Sequence, residues 1–262
     1  MQLENIENLE ANMESEQISR HNQYETDDKA DLYDLFKKNS FFLHVDRPSI
    51  KKLLNHDLTG KTIIDYACGS GSSTRTLADF NAFKIYGVDI SPQMIKKAKS
   101  LCYNIEKYSN IAYFAADCST KLKIGQFDIV FSSHLLEYAE TIDRLEGFVE
   151  SMYTSLKPGG FCCGLMDNGF LDPECFRLLR KYGFEFIRDN EKTQTVKFYH
   201  GDASHGKFLF QVINYYWPPE VFEQTFAKYG FVDFEWVHPT LDENYEDTEG
   251  FYDDYFKFVK NY

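Results

Sequence analysis

An α/β fold, with a mostly parallel sheet sandwiched between helices, is what this sequence predicts. Three observations carry the expectation. Short apolar runs end in carboxylates at Asp65, Asp89 and Asp117. A Gly-x-Gly turn, Gly69 to Gly71, follows the first run and leads into helix-type residues. Strand-like and helix-like segments then alternate as far as about residue 166, which is how βαβ units read.

The elements follow in order. Residues 1–22 are acidic and polar and read as a helical or disordered segment. Residues 23–58 carry two amphipathic helices, one with Leu32, Tyr33, Leu35 and Phe36, the other with Ile50, Leu53 and Leu54. Ile63 and Ile64 suit a buried parallel strand. The glycines after it leave backbone amides free of any blocking Cβ. Thr74 to Phe80 is the following helix. Ile85 to Asp89 is a second strand, and Asp89 stands twenty residues after Gly69. At that spacing a doubly wound sheet offers an acid to ribose hydroxyls, and a carboxylate can accept both bonds of a cis-diol. Ser91 and Pro92 are N-cap and first-turn residues of a helix whose inner stripe is Met94, Ile95, Ala98, Leu101, Cys102 and Ile105. Ile111 to Asp117 is the third strand, Phe127 to Phe131 the fourth, and Phe161 to Met166 the fifth, entered through Leu156-Lys-Pro-Gly-Gly160. Residues 167–207 read as an insertion with a helix at Cys175 to Arg180. Phe208 to Tyr216 is strand-like, a helix starts at Pro218 and runs to about Lys228, and Phe231 to Val237 alternates like a strand. Phe251, Tyr255 and Phe258 form a last helical stripe.

A dinucleotide site calls for Gly-x-Gly-x-x-Gly, and the third position here is Thr74. The pattern is Asp65-x-x-x-Gly69-x-Gly71. It resembles motif I of the class I S-adenosylmethionine-dependent methyltransferases, and the four later segments resemble the rest of that superfamily's core over residues 61–166. The resemblance implies a Rossmann-like three-layer α/β/α sandwich with a seven-stranded sheet in the order 3-2-1-4-5-7-6, the last strand antiparallel. Residues 23–262 would be one domain, with 23–58 a helical lid over the cleft. The implied cofactor is S-adenosyl-L-methionine, with S-adenosyl-L-homocysteine as product. Carried over residue by residue, Asp65, Ala67, Gly69 and Gly71 form the turn. Asp89 and Ile90 meet the ribose, and Met94 touches the adenine face. Asp117 and Cys118 meet the adenine edge, and Ser133 and Tyr138 lie beneath the methionine arm. Tyr215 to Phe231, Phe234 to Trp236, Phe127 to Ala139 and Gln23-Tyr24 look more narrowly like toxoflavin-synthase-type N-methyltransferases, which act on flat heterocycles. His134 departs from the large aromatic expected in those relatives.

Methyl transfer from a sulfonium needs an in-line nucleophile within about 3–3.5 Å in a dry pocket. It needs a general base only when the nucleophile is protonated. Tyr24 and His134 are the candidate catalytic residues, because the lid and the loop after the fourth strand converge over the methyl in this fold. His134 is a base, a substrate contact, or a helix-start residue satisfied by backbone. Glu137 either faces solvent or accepts a bond from a substrate amine. Tyr33, Phe170, His200, Tyr215 and Trp217 are candidate substrate contacts for a flat acceptor. His200 sits in the insertion, where surface exposure competes with a site role.

Composition narrows the classes. The formal charge is −13 and no basic patch stands out, which disfavours a nucleic-acid substrate. Lys96, Lys97 and Lys99 read as a solvated helix face. No apolar run of about 18 residues predicts a membrane span, and the acidic start is unlike a signal peptide. Six cysteines without a Cys-x-x-Cys pair fit free thiols in a reducing cytoplasm. The seven histidines lack metal-ligand spacing, so no metal is expected. The expectation is a cytoplasmic methyltransferase, monomer or homodimer, acting at N or O of a small aromatic or heterocyclic metabolite. Protein or peptide methylation, and non-catalytic binding of S-adenosylmethionine, are the alternatives. An NAD-dependent dehydrogenase is a distant fourth.

Overall fold

The computed structural model describes residues 22–38, 42–55, 57–168, 170 and 173–244. The expectations for residues 1–21 and for the Phe251, Tyr255 and Phe258 stripe fall outside that set, as does the side chain of Cys175. Five strands form the central sheet: β1 (Thr62–Tyr66), β2 (Lys84–Asp89), β3 (Ile111–Ala115), β4 (Phe127–Ser133) and β5 (Leu156–Leu165). Their order is β3-β2-β1-β4-β5, and every neighbouring pair is parallel. The helices are α1 (Asp27–Lys37), α2 (Arg47–Leu53), α3 (Ser72–Asp79), α4 (Pro92–Cys102), α5 (Ile142–Thr154) and α6 (Pro219–Lys228). A π-helical turn, Phe42–Asp46, runs directly into α2.

The parallel strands are apolar on both faces because both are covered. Ile63, Ile85, Ile129 and Phe131 pack against Ile50, Leu54 and Leu77 from α2 and α3. Ile64, Tyr66, Val88 and Val130 pack on the other face against Leu145, Phe148, Met152 and Phe226 from α5 and α6. Residues 63 and 64 alternate between these two cores, so each isoleucine is fully buried. Truncating either to alanine would cost about 2–5 kcal/mol. Ser91 caps α4 as its residue type predicts, its hydroxyl accepting from the Met94 amide. The five described cysteines are free thiols. No helix among the described residues is long and apolar enough to cross a membrane.

Among the described residues the central sheet has five strands where seven were expected, and the later segments arrange differently. Phe184–Arg188, Thr193–His200 and Lys207–Tyr215 (β6, β7 and β8) form a separate antiparallel sheet. Chain neighbours pair there as a hairpin, with β7 and β8 in register from Thr193 opposite Tyr215 to His200 opposite Lys207. The run Phe231 to Val237 is not a strand. Asp233 has φ 56°, in the left-handed region that no extended run tolerates. Its alternating rings are aromatic anchors: Phe231 and Phe234 pack on Phe226, and Trp236 packs on Phe222. Val232 between them is 80% exposed. The expected helix at Cys175 to Arg180 is a 3-10 stretch, Pro173–Tyr182. The small sheet packs on α1, with Phe36, Val196, Phe210 and Val212 in a shared core. That core roofs the C-terminal ends of the central strands.

Candidate functional site

A cavity of about 1460 Å³ opens where β1, β2 and β4 end. This is the switch point of the sheet, where strand order reverses and the loops diverge, and it is where such sheets bind ligands. Ala67, Gly69, Asp89, Ile90, Met94, Asp117 and Cys118 line one side of it. Ser133, His134, Glu137, Tyr138 and Asp167 line another, and Tyr24, Tyr33 and Lys37 form the roof.

The turn after β1 takes its shape from three residues with positive φ: Ala67 at 54°, Gly69 at 55° and Gly71 at 78°. The Gly69 amide donates to Asp89 Oδ2 and the Ser91 amide to Asp89 Oδ1, each at 2.8 Å. Each carboxylate oxygen retains a further lone pair, and Asp89 lines the cavity. Burial pushes its carboxyl up to about 6. Asp65 lies behind the turn, off the cavity wall. Its Oδ2 accepts from Thr74 Oγ1 at 2.6 Å, and its buried Oδ1 has no partner. Burial pushes this carboxyl up to about 7, against the Thr74 bond. Gly71 also sits off the cavity; a Cβ there would meet the Tyr113 hydroxyl at 2.3 Å. Its smallness serves packing of the turn on β3. Asp117 is gripped by Arg144 through two bonds, 3.1 and 3.2 Å, beside the Ser119 amide and hydroxyl.

Helix α1 sits over the glycine turn. A Cβ at Gly69 would approach Tyr33 Cε1 to 3.2 Å, and Ser70 Oγ donates to Asp34 at 3.3 Å. Tyr24 is pinned twice, its carbonyl accepting from Ser91 Oγ at 2.8 Å and its hydroxyl 3.1 Å from that of Tyr138. Burial raises the Tyr24, Tyr33 and Tyr138 hydroxyls far above neutrality, so all three stay protonated. Gln23 clasps the edge of β8: its side-chain amide donates to the Ile213 carbonyl and accepts from the Ile213 amide, both at 2.8 Å. Lys37 points inward with only 8% of its side chain exposed. Its nearest anion is Asp46, at 3.5 Å, and its ammonium lies 4.8 Å from the Phe42 ring centroid.

The loop after β4 carries the densest polar cluster. His134 has φ 57°, rare for a residue with a Cβ, and a backbone bond from its amide to the Leu165 carbonyl holds it there. Its Nδ1 lies 2.9 Å from Glu137 Oε1 and 3.6 Å from Asp167 Oδ1. Burial by itself would push the imidazole down, but the bonds to Asp167 and Glu137 outweigh it and raise the group to about 10. His134 is therefore an imidazolium at neutral pH, not a free base. The Asp167 amide donates to Glu137 Oε1 at 3.1 Å. Asn214 Nδ2 and Gln194 Nε2 donate to Asp167 Oδ2 at 2.8 and 3.3 Å. Among the described residues, only His134, Glu137 and Asp167 bring metal-ligating atoms within 4.8 Å of one another.

Of the sequence candidates for substrate contact, Tyr33, Phe170, Tyr215 and Trp217 line the cavity. Phe170 stands edge-on to Trp236, and Trp217 Nε1 donates to the Ala139 carbonyl at 2.8 Å. His200 does not join them. It ends β7, exposed, opposite Lys207 at the far end of the small sheet. Sequence reasoning missed Lys37, Arg144, Asp167, Gln194 and Asn214. Two of these had a readable signal. Gln194 and Asn214 fall on the inward positions of β7 and β8, in phase with Val196 and Val212, where an apolar residue is the rule.

Comparison with known proteins gives concordant results. Residues 64–164 match the family described as methyltransferase domain. Over 165 residues the chain is 30% identical to malonyl-(acyl-carrier protein) O-methyltransferase 2 of Coxiella burnetii, covering 57% of this chain and 64% of that protein. The chain thus spans less than two thirds of that relative's length. In fold it is similar to the CcbJ methyltransferase of Streptomyces caelestis, with a TM-score of 0.57 and 16% identity over 80% of this chain and 88% of that one. It is also similar to phosphoethanolamine N-methyltransferase 2 of Haemonchus contortus, solved with S-adenosylhomocysteine. There the TM-score is 0.54, at 21% identity, over 79% of this chain and 42% of the other. At these identities the structural likeness is one of fold.

Proposed function

We propose that this chain is a class I S-adenosylmethionine-dependent methyltransferase, a reading supported by the match of residues 64–164 to the methyltransferase domain, and that it methylates N or O of a small, aromatic or heterocyclic acceptor. The observation that carries the reading is the cavity at the switch point. It has the glycine turn and Asp89 on one side, and tyrosines and a polar cluster on the other. The residues present fit S-adenosylmethionine. Gly69 leaves the turn without a Cβ, and Asp89 keeps a free lone pair on each oxygen for a ribose diol. Lys37 keeps spare N–H donors for the carboxylate of the methionine arm. When bound, the cofactor supplies a methyl group already activated by positive sulfur.

The protein's own part is positioning and exclusion of water. The α1 roof and the small sheet close the cavity from above. Tyr24 and Tyr138, held protonated, offer donors and cannot abstract a proton. His134, already charged, orients Glu137 and Asp167. A protein or peptide acceptor would favour an open acidic groove, and the roofed aromatic cavity supports a small molecule instead. Isothermal titration with S-adenosylhomocysteine and NAD, followed by incubation with labelled S-adenosylmethionine and a metabolite extract, tests the reading. Binding of NAD alone would reject it.

A further inference from the structure

We propose that the atom methylated in this cavity is the nitrogen of a basic amine, bound as its ammonium ion by Glu137 and Asn214, with Glu137 accepting its proton. The inference deepens the methyl-transfer reading and rests on it.

Four donors of the polar cluster are committed to carboxylates: His134 Nδ1 and the Asp167 amide to Glu137 Oε1, and the Gln194 and Asn214 side-chain amides to Asp167 Oδ2. Two acceptors on the same side chains are met by no donor. Glu137 Oε2 and Asn214 Oδ1 are buried without a partner, in side chains only 3% and 6% exposed, and both residues line the cavity. The Ser133 hydroxyl, also buried and unpartnered, lines it beside them. Asp167 ties the two free acceptors into one site, since its amide holds Glu137 and its carboxylate holds Asn214. Buried acceptors left unmet are costly, so the ligand they suit is one rich in donors. An ammonium has three N–H donors and no acceptor. A hydroxyl has one donor and leaves a second oxygen unmet. An anion would meet two carboxylates.

Charge agrees with the count. Around the cluster, Glu137 and Asp167 face the His134 imidazolium, while Lys37 is matched by Asp46. Arg188, across the strands from Gln194, lies over the Tyr216 ring at 4.1 Å. A protonated amine is no nucleophile, so a base must free its lone pair. The ammonium N–H passes its proton to Glu137 Oε2. The freed nitrogen pair forms the N–CH3 bond as the S–CH3 pair returns to sulfur, giving a methylammonium and a neutral thioether. Glu137 loses its proton to solvent as product departs.

Matched probes test this. Benzylamine and benzyl alcohol, then phenethylamine and phenethyl alcohol, are titrated into the protein saturated with S-adenosylhomocysteine. Each amine should bind at least tenfold more tightly than its alcohol. Glu137→Gln should erase that preference, and Asn214→Leu, which removes the second acceptor at similar volume, should reduce it. Should Glu137→Gln not fold, Asn214→Leu decides, and an unchanged preference counts against the amine. Equal binding of amine and alcohol, or binding of neither while S-adenosylhomocysteine binds, overturns the amine assignment alone. Failure of S-adenosylhomocysteine to bind removes the methyl-transfer reading with it.

Discussion

Replacing Lys37 with methionine isolates one bond between roof and cofactor. Methionine preserves an unbranched stem, so packing beside Tyr33 and Phe42 is retained while the charge is lost. In the folded protein the ammonium is buried, and its ion pair to Asp46 is long at 3.5 Å, so it has donors to give. A hydrogen bond to a charged partner contributes about 1.5–3 kcal/mol, which corresponds to roughly 10–150-fold in Kd. Isothermal titration should show that loss for S-adenosylhomocysteine. For 5′-methylthioadenosine, which has the adenosyl thioether without the amino-acid carboxylate, affinity should hold. Equal losses for both ligands, or none for either, would refute the assignment, because only a carboxylate contact separates them. Thermal melting of the variant controls for Asp46 losing its partner.

Three further outcomes follow from the geometry. Asp89→Ala should weaken S-adenosylhomocysteine by about 1–3 kcal/mol, since the diol loses its acceptors and the Gly69 and Ser91 amides lose theirs; unchanged affinity would remove Asp89 from the ribose. Asp65, raised by burial to about 7 from an unfolded value near 3.8, favours the folded state fully only below the unfolded value. That stability is lost as pH rises through about 7. Wild-type melting temperature should therefore fall between about pH 4 and 7, and Asp65→Asn should flatten the fall; parallel profiles would contradict the buried carboxyl. Tyr24→Phe should destabilise the protein by about 1 kcal/mol through loss of the Tyr138 bond, read by urea unfolding; no change would mean the hydroxyl pair is not formed in solution.

The sheet was legible wherever local pattern and burial agree. Ile63-Ile64 reads as a strand because both faces of a parallel sheet are covered, and the two residues face opposite cores. Asp89 was legible because spacing from Gly69 alone brings it back to the turn. Phe231 to Val237 misled because alternating rings pack equally well from an irregular chain, and nothing local announces the left-handed Asp233. The polar cluster was half legible: His134 and Glu137 lie three residues apart, but Asp167, Gln194 and Asn214 reach them only through tertiary pairing. Lys37 is the hardest kind. A lysine in the last turn of a helix ordinarily favours the dipole and solvent, and only the folded chain sets this one against Asp46 and Phe42.

The clasp of Gln23 on Ile213 joins positions 190 apart in sequence at the unpaired side of β8. An amide side chain stands there where another strand would otherwise dock, which keeps that margin from recruiting a second molecule. Releasing Gln23 from that edge breaks both bonds together. Deuterium uptake at the Ile213 amide is then a clock for how often that clasp lets go.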